Sequence, residues 1–142
     1  MRALLDLNVL IALLDKNHVH HLHLLDWWNA NKQFGWASCP LTENGLVRVM
    51  SGVKYPGIRL SPSDVLRQLE SFINSTDHQF WSDDLTIRDF SQIDNSAITS
   101  RQITDVYLLA LAVQRAGRFV TLDKGVSARA VRNAPATALL SL

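Results

Sequence analysis

One cysteine, Cys39, stands among 142 residues. A single thiol closes no intramolecular disulfide and supplies no cysteine-rich zinc cluster, so the fold must rest on its core, and a cytoplasmic setting is expected. An excess of one charge is lacking too: 14 Lys and Arg nearly cancel 13 Asp and Glu, leaving a formal +1. That balance excludes a generally basic glove for nucleic acid and confines any such contact to a local patch. Long apolar runs are missing. The longest, Val106 to Val113, has eight residues, against the roughly 20 that cross a bilayer, so no membrane segment is expected. The opening Met1-Arg2 and the apolar residues after it have the look of a leader. Asp6 and Asn8 interrupt that stretch and no small-residue cleavage site closes it, so it reads as core. Internal repeats, linkers and low-complexity tracts are absent.

What is present is apolar area. Hydrophobic residues make up 47% and charged residues 19%, enough burial for a single domain over residues 1–142 and too much for a disordered chain. Ala3 to Leu5 reads as a buried strand ending at Asp6, and Leu7 to Leu14 as a helix. Val19, Leu22, Leu25 and Trp28 recur at helical spacing. Phe34 to Cys39 predicts a second strand, and Pro40 opens a helix over Leu41 to Met50. Ser61-Pro62-Ser63-Asp64 is a cap, a first-turn proline and a first-turn acid, heading a helix to Ile73. His78 to Trp81 predicts a third strand, and Asp83 to Ser100 is polar and mixed. Thr104 and Asp105 start a helix that Gly117 is expected to stop. Arg118 to Leu122 predicts a fourth strand ending at Asp123, Lys124 to Arg132 a further helix, and Ala136 to Leu142 an edge strand. Strands alternating with helices imply right-handed crossovers, hence an α/β fold with a parallel sheet flanked by helices on both faces.

Ligands in such sheets bind beyond the carboxyl ends of the strands. Asp6 and Asp123 fall there, each directly after an apolar strand, while Glu43 and Asp105 lie in the first turns of helices that start on the same rim. Each acid alone has an ordinary explanation, since helix first turns favour carboxylates by about 0.3 to 1 kcal/mol. Together they stand at the edge of the core, where unpaired charge is costly. Two carboxylates about 4 Å apart repel by roughly 4 kcal/mol at an effective dielectric near 20, so the cluster calls for cations. Oxygen donors point to Mg2+ or Mn2+, and such ions on a phosphodiester imply metal-dependent hydrolysis.

Leu4-Leu5-Asp6-Leu7-Asn8-Val9, Thr42-Glu43, Ile103-Thr104-Asp105-Val106-Tyr107 and Val120-Thr121-Leu122-Asp123, in that order and spacing, resemble the PIN domain over essentially the whole chain. The Trp27-Trp28 helix, Phe80-Trp81-Ser82-Asp83-Asp84 and the Ser100 to Asp105 approach resemble its VapC subgroup, the ribonuclease toxins of type II toxin-antitoxin modules. The resemblance implies a PIN-like parallel sheet whose acidic rim binds Mg2+ or Mn2+ and cuts RNA, leaving 5′-phosphate and 3′-hydroxyl ends. It assigns Asp6, Glu43, Asp105 and Asp123 as metal-binding, catalytic acids. Asn8 matches a polar residue beside the first acid, and Thr121 a hydroxyl supporting the last. It further implies a VapB-like antitoxin and a homodimer, for which the Trp27-Trp28 and Leu41 to Met50 helices are the candidate surfaces.

Other residues fit blander roles. His18, His20, His21 and His23 form two i, i+3 pairs on different helix faces and read as a solvated helix start rather than a zinc site. Arg48, Lys54, Arg59, Arg101 and Lys124 are candidates for RNA phosphates, and Trp81 and Tyr55 for stacking on an unpaired base. Two rivals of other classes remain: a non-catalytic RNA-binding or assembly module, which a nuclease assay with and without EDTA separates, and a phospho-receiver domain. The receiver wants an acidic pair after strand one and an Asp after the middle strand; here Asp6 stands alone and no Asp ends Phe34 to Cys39.

Overall fold

A computed structural model describes residues 1–142. Its centre is a five-stranded sheet of order β3-β2-β1-β4-β5, formed by β1 (Ala3–Leu5), β2 (Trp36–Ser38), β3 (His78–Phe80), β4 (Arg118–Thr121) and β5 (Leu139–Ser141). Every pairing is parallel, with Leu4 beside Ala37 on one side and Phe119 on the other. The helices are α1 (Leu7–Leu14), α2 (His21–Asn31), α3 (Pro40–Met50), α4 (Pro62–Asn74) and α5 (Ile103–Gln114).

Strand side chains alternate between two cores because the strand period is two. Leu4, Ala37 and Phe119 face the layer built on α5, while Ala3, Leu5, Trp36 and Val120 face the layer built on α1 to α4. The α5 segment from Val106 to Ala112 is buried along its whole length, which explains its lack of a polar stripe. Trp28 and Trp36 both pack on Phe72 of α4. No helix is long and apolar enough to cross a membrane.

Two expectations fail locally. Lys124 to Arg132 is not a helix: only Ala128–Ala130 forms a single 3-10 turn, since three of its residues, Val126, Ala130 and Val131, must reach the α5 core from an irregular path. Gly117 does stand where α5 ends, but not as its left-handed residue. Ala116 takes that conformation, at φ 54°. The Gly117 amide donates to Ala112 O at 2.8 Å and the Ala116 amide to Val113 O at 3.1 Å, the paired bonds of a Schellman ending. Gly117 is required by space instead: a Cβ there would lie 2.6 Å from the Trp81 ring and 2.9 Å from Arg2 O.

Candidate functional site

The strand order reverses direction between β1 and β4. Crossovers leave that seam toward opposite faces, opening a crevice at the carboxyl ends. Asp6 occupies it. Its backbone amide donates to Val120 O at 2.9 Å, continuing the ladder, and its side chain caps α1 by accepting from the Leu7 amide at 2.7 Å. The other carboxylate oxygen accepts from Thr121 Oγ1 at 2.7 Å. Thr121 Oγ1 in turn accepts from the Asp123 amide at 3.0 Å, and the Asp123 carboxylate accepts from the Gly125 amide at 2.7 Å. The acid of β1 and the turn after β4 thus share one buried hydroxyl.

A cleft of about 330 Å³ opens here, lined by Asp6, Asn8, Thr42, Arg48, Thr104, Asp105 and Asp123 among others. Its walls come from both layers, Asp105 from α5 and Thr42 with Arg48 from α3. Burial pushes the Asp6 carboxyl above its ordinary range, against the bonds from Thr121 and Leu7 and with the Asp123 charge adding to the rise. Asp105 is pushed up to about 6, by burial first and then by the charges of Asp6 and Asp123. These three acids act on one another, and none of them is in an ion pair. The ion pairs of the chain are Arg2–Asp77, Arg67–Asp64 and Arg115–Asp84, all elsewhere.

That donor set fits a hard divalent cation: carboxylate oxygens, a shared excess of negative charge, and no paired base. No trio of His, Cys, Asp or Glu is gathered closely enough to form a ready-made cage. Magnesium suits such an open arrangement, since it keeps several waters and takes only one or two carboxylates.

Glu43 is placed differently. It sits in the first turn of α3 but does not line the cleft; its Oε1 accepts from Ser38 Oγ at 2.6 Å. Asn8 lies exposed at the mouth. Arg48 lines the cleft without an acidic partner. It follows Leu41 and Gly45 at helical spacing on the α3 face that lines the cleft. Sequence reading missed Ser38 and His78 altogether. The signal available was positional: Ser38 directly precedes the helix cap Cys39, and Glu43 is the fourth helical residue, the two positions that commonly touch across a helix start.

The remaining candidates separate cleanly. Trp81 is 4% exposed and packs in the α5 core, so it cannot stack on a base. Tyr55 is half-buried and donates a hydrogen bond to Asp15. His21 Nδ1 bonds Ala12 O, an otherwise open carbonyl near the end of α1, and His18 Nδ1 accepts from the His20 amide. The His18 and His21 side chains therefore serve the α1–α2 turn. Trp28 is core, while Leu22 on α2 and Leu41 on α3 remain exposed.

Comparison with known proteins bears on this geometry. A family model of the PIN domain matches residues 3–132. Ribonuclease VapC44 of Mycobacterium tuberculosis is 45% identical over 146 aligned positions, covering 100% of both chains. Ribonuclease VapC38 of the same organism is 42% identical across 87% of this chain and 86% of its own, and Ribonuclease VapC39 is 39% identical across 89% and 92%.

Proposed function

The chain belongs to the PIN-domain family and, within it, to the VapC ribonucleases, and from that premise we propose that it is an endoribonuclease, the toxin of a VapBC-like toxin-antitoxin pair. One domain over residues 1–142 carries the activity, in the cytoplasm. The observation that carries the reading is the convergence of Asp6, Asp105 and Asp123 in one cleft at the strand-order reversal, with no cation paired to them.

Asp6, Asp105 and Asp123 would hold Mg2+ or Mn2+ in the cleft, and Glu43, beside it on α3, is the fourth acid of the proposed set. When bound, the ion supplies Lewis acidity toward the phosphate and acidifies a water. The residues of the chain do the rest. Thr121 and the Leu7 amide each hold one oxygen of Asp6, so its carboxylate is oriented before any ligand arrives. Asp105, pushed up to about 6, holds a proton more readily than an ordinary aspartate and releases it when positive charge enters the cleft. Arg48 offers a planar guanidinium to an RNA phosphate on the α3 wall. Asn8 presents an amide at the mouth, able to donate to a phosphate oxygen or a water.

The same negative concavity suits an inhibitor. A VapB-like antitoxin would insert an extended basic segment whose Arg pairs in bidentate fashion with two carboxylates. Homodimerisation through α2 and α3 fits the exposed Leu22 and Leu41, with Trp28 committed to the core. The deciding experiment is RNA cleavage by wild-type protein and Asp105→Asn in Mg2+ and in EDTA. Cleavage by the wild type in Mg2+ alone, and loss in the variant with unchanged circular dichroism, supports the reading. An Asp105→Asn protein that cuts at the wild-type rate overturns the site.

A further inference from the structure

Ser38, the last residue of β2, is fully buried, and its hydroxyl has two side-chain partners. Ser38 Oγ lies 2.6 Å from Glu43 Oε1 and 2.8 Å from His78 Nε2. A hydroxyl has one proton to donate, and an ionised carboxylate can only accept. The Ser38 proton therefore goes to Glu43, at a distance within the range of charge-assisted O–H···O bonds. His78 must then present Nε2–H to the Ser38 oxygen, which fixes its tautomer. The imidazole is also fixed in space, packed on Trp36 with ring centroids 4.4 Å apart at 54°. Burial, and then the Arg2 guanidinium, lower the His78 pKa and favour the neutral ring with a single N–H. A directional chain results, from His78 on the edge strand β3 through Ser38 on β2 to Glu43 on α3.

Ser38 and Glu43 occupy the two positions where an apolar pair usually staples a helix start. Here the pair is polar, and a polar pair transmits orientation as well as packing. Glu43 would otherwise be a rotatable, half-buried side chain. Its Oε1 is held by Ser38, and its neighbours Leu41 and Thr42 line the cleft of Asp6, Asp105 and Asp123.

We propose that Ser38 and His78 are positioning residues that fix the orientation of Glu43 beside the acidic cleft, through the chain His78 Nε2–H to Ser38 Oγ–H to Glu43 Oε1. The inference rests on the reading of Glu43 as a site acid. Neither residue touches RNA or the reacting atoms; both act through the carboxylate.

The test compares Glu43→Gln, Ser38→Ala, His78→Leu and His78→Gln in the full chain. The readouts are kcat and KM for RNA cleavage in Mg2+, Mn2+ affinity by calorimetry, melting temperature, and the imidazole 15N spectrum of metal-free protein. Removing a residue that orients a ligating side chain typically costs about 10- to 100-fold in activity or metal affinity. Ser38→Ala and His78→Leu should each lose about tenfold in kcat with KM nearly unchanged. Their double variant should lose no more than either alone, because one chain is broken once. His78→Gln, whose side-chain amide restores an N–H near the same place, should recover most of that loss. The wild-type spectrum should show His78 protonated at Nε2, and a ring protonated only at Nδ1 overturns the proposal. Should Ser38→Ala fail to fold, the contrast between the two His78 variants decides. Loss of melting temperature with full kcat in His78→Leu reduces the chain to a structural staple and refutes positioning. A Glu43→Gln protein with wild-type kcat refutes instead the assignment of Glu43 on which the proposal rests. An inactive Glu43→Gln beside fully active Ser38→Ala and His78→Leu refutes the proposal alone.

Discussion

Thr121 Oγ1 donates to Asp6 across 115 residues of sequence at 2.7 Å, while accepting from the Asp123 amide at 3.0 Å. One hydroxyl thereby joins the ends of two adjacent strands, and both of its partners are acids of the cleft. Its complete burial keeps water from substituting for it.

Thr121→Val keeps the shape of that side chain and removes both bonds. Asp6 then loses a bond that favours its charged form and the Asp123 amide loses its acceptor. Cleavage is expected to fall by about 10- to 100-fold, with Thr121→Ser largely active. Initial rates at saturating RNA check this, and equal rates for wild type and Thr121→Val would remove Thr121 from its supporting role.

The raised carboxyl of Asp105 predicts an inverted pH dependence of stability in EDTA. Its folded pKa, about 6, stands above the ordinary 3.8, so the folded chain holds a proton that the unfolded chain has released. That contribution is fully present below about pH 4 and is lost as pH rises through about 6. Asp6, also raised, acts in the same direction. Melting temperature in EDTA should therefore fall over that window, less steeply in Asp105→Asn. Millimolar Mn2+ should raise the neutral-pH melting temperature of the wild type, by linkage of binding to folding. A flat profile in EDTA, with no Mn2+ shift, contradicts the charge crowding.

The end of α5 offers a paired test in which adjacent residues respond oppositely to a single methyl group. Ala116 at φ 54° bears a left-handed cost that glycine avoids, so Ala116→Gly should stabilise by about 0.5 to 1 kcal/mol. Gly117→Ala should destabilise by about 1 to 3 kcal/mol, because the Trp81 ring and Arg2 O stand in its way. Urea unfolding of both variants measures the two signs.

In cells, expression of the wild type should arrest growth, and Asp6→Asn should not. Co-expression with the antitoxin should restore growth. Growth curves with matched protein levels check each arm, and a wild type as harmless as Asp6→Asn ends the toxin reading.

The α/β class, the five strands and the first-turn acids were legible because they depend on local pattern: Asp6 and Asp123 follow short apolar runs, and Asp105 opens a helix. The stop of α5 was legible in place but not in mechanism, since the space beside Gly117 is set by Trp81, 36 residues earlier. Burial of Trp81 was hidden for the same reason, as it depends on how an irregular segment returns to α5. The Ser38–His78 contact spans 40 residues and exists only because β2 and β3 are neighbours. Pairing partners of parallel strands are decided by crossovers, which local sequence does not encode.

The cleft is bounded by α5 from one layer and α3 from the other, with the thin end of the sheet between them. Whatever lodges there, ion, RNA or inhibitory arginine, acts as a clasp across the two layers packed on opposite faces of the sheet. Occupancy should therefore be felt far from the rim, as slower amide exchange along both helices at once. The empty protein would breathe along that seam, open to proteases that the clasped form resists.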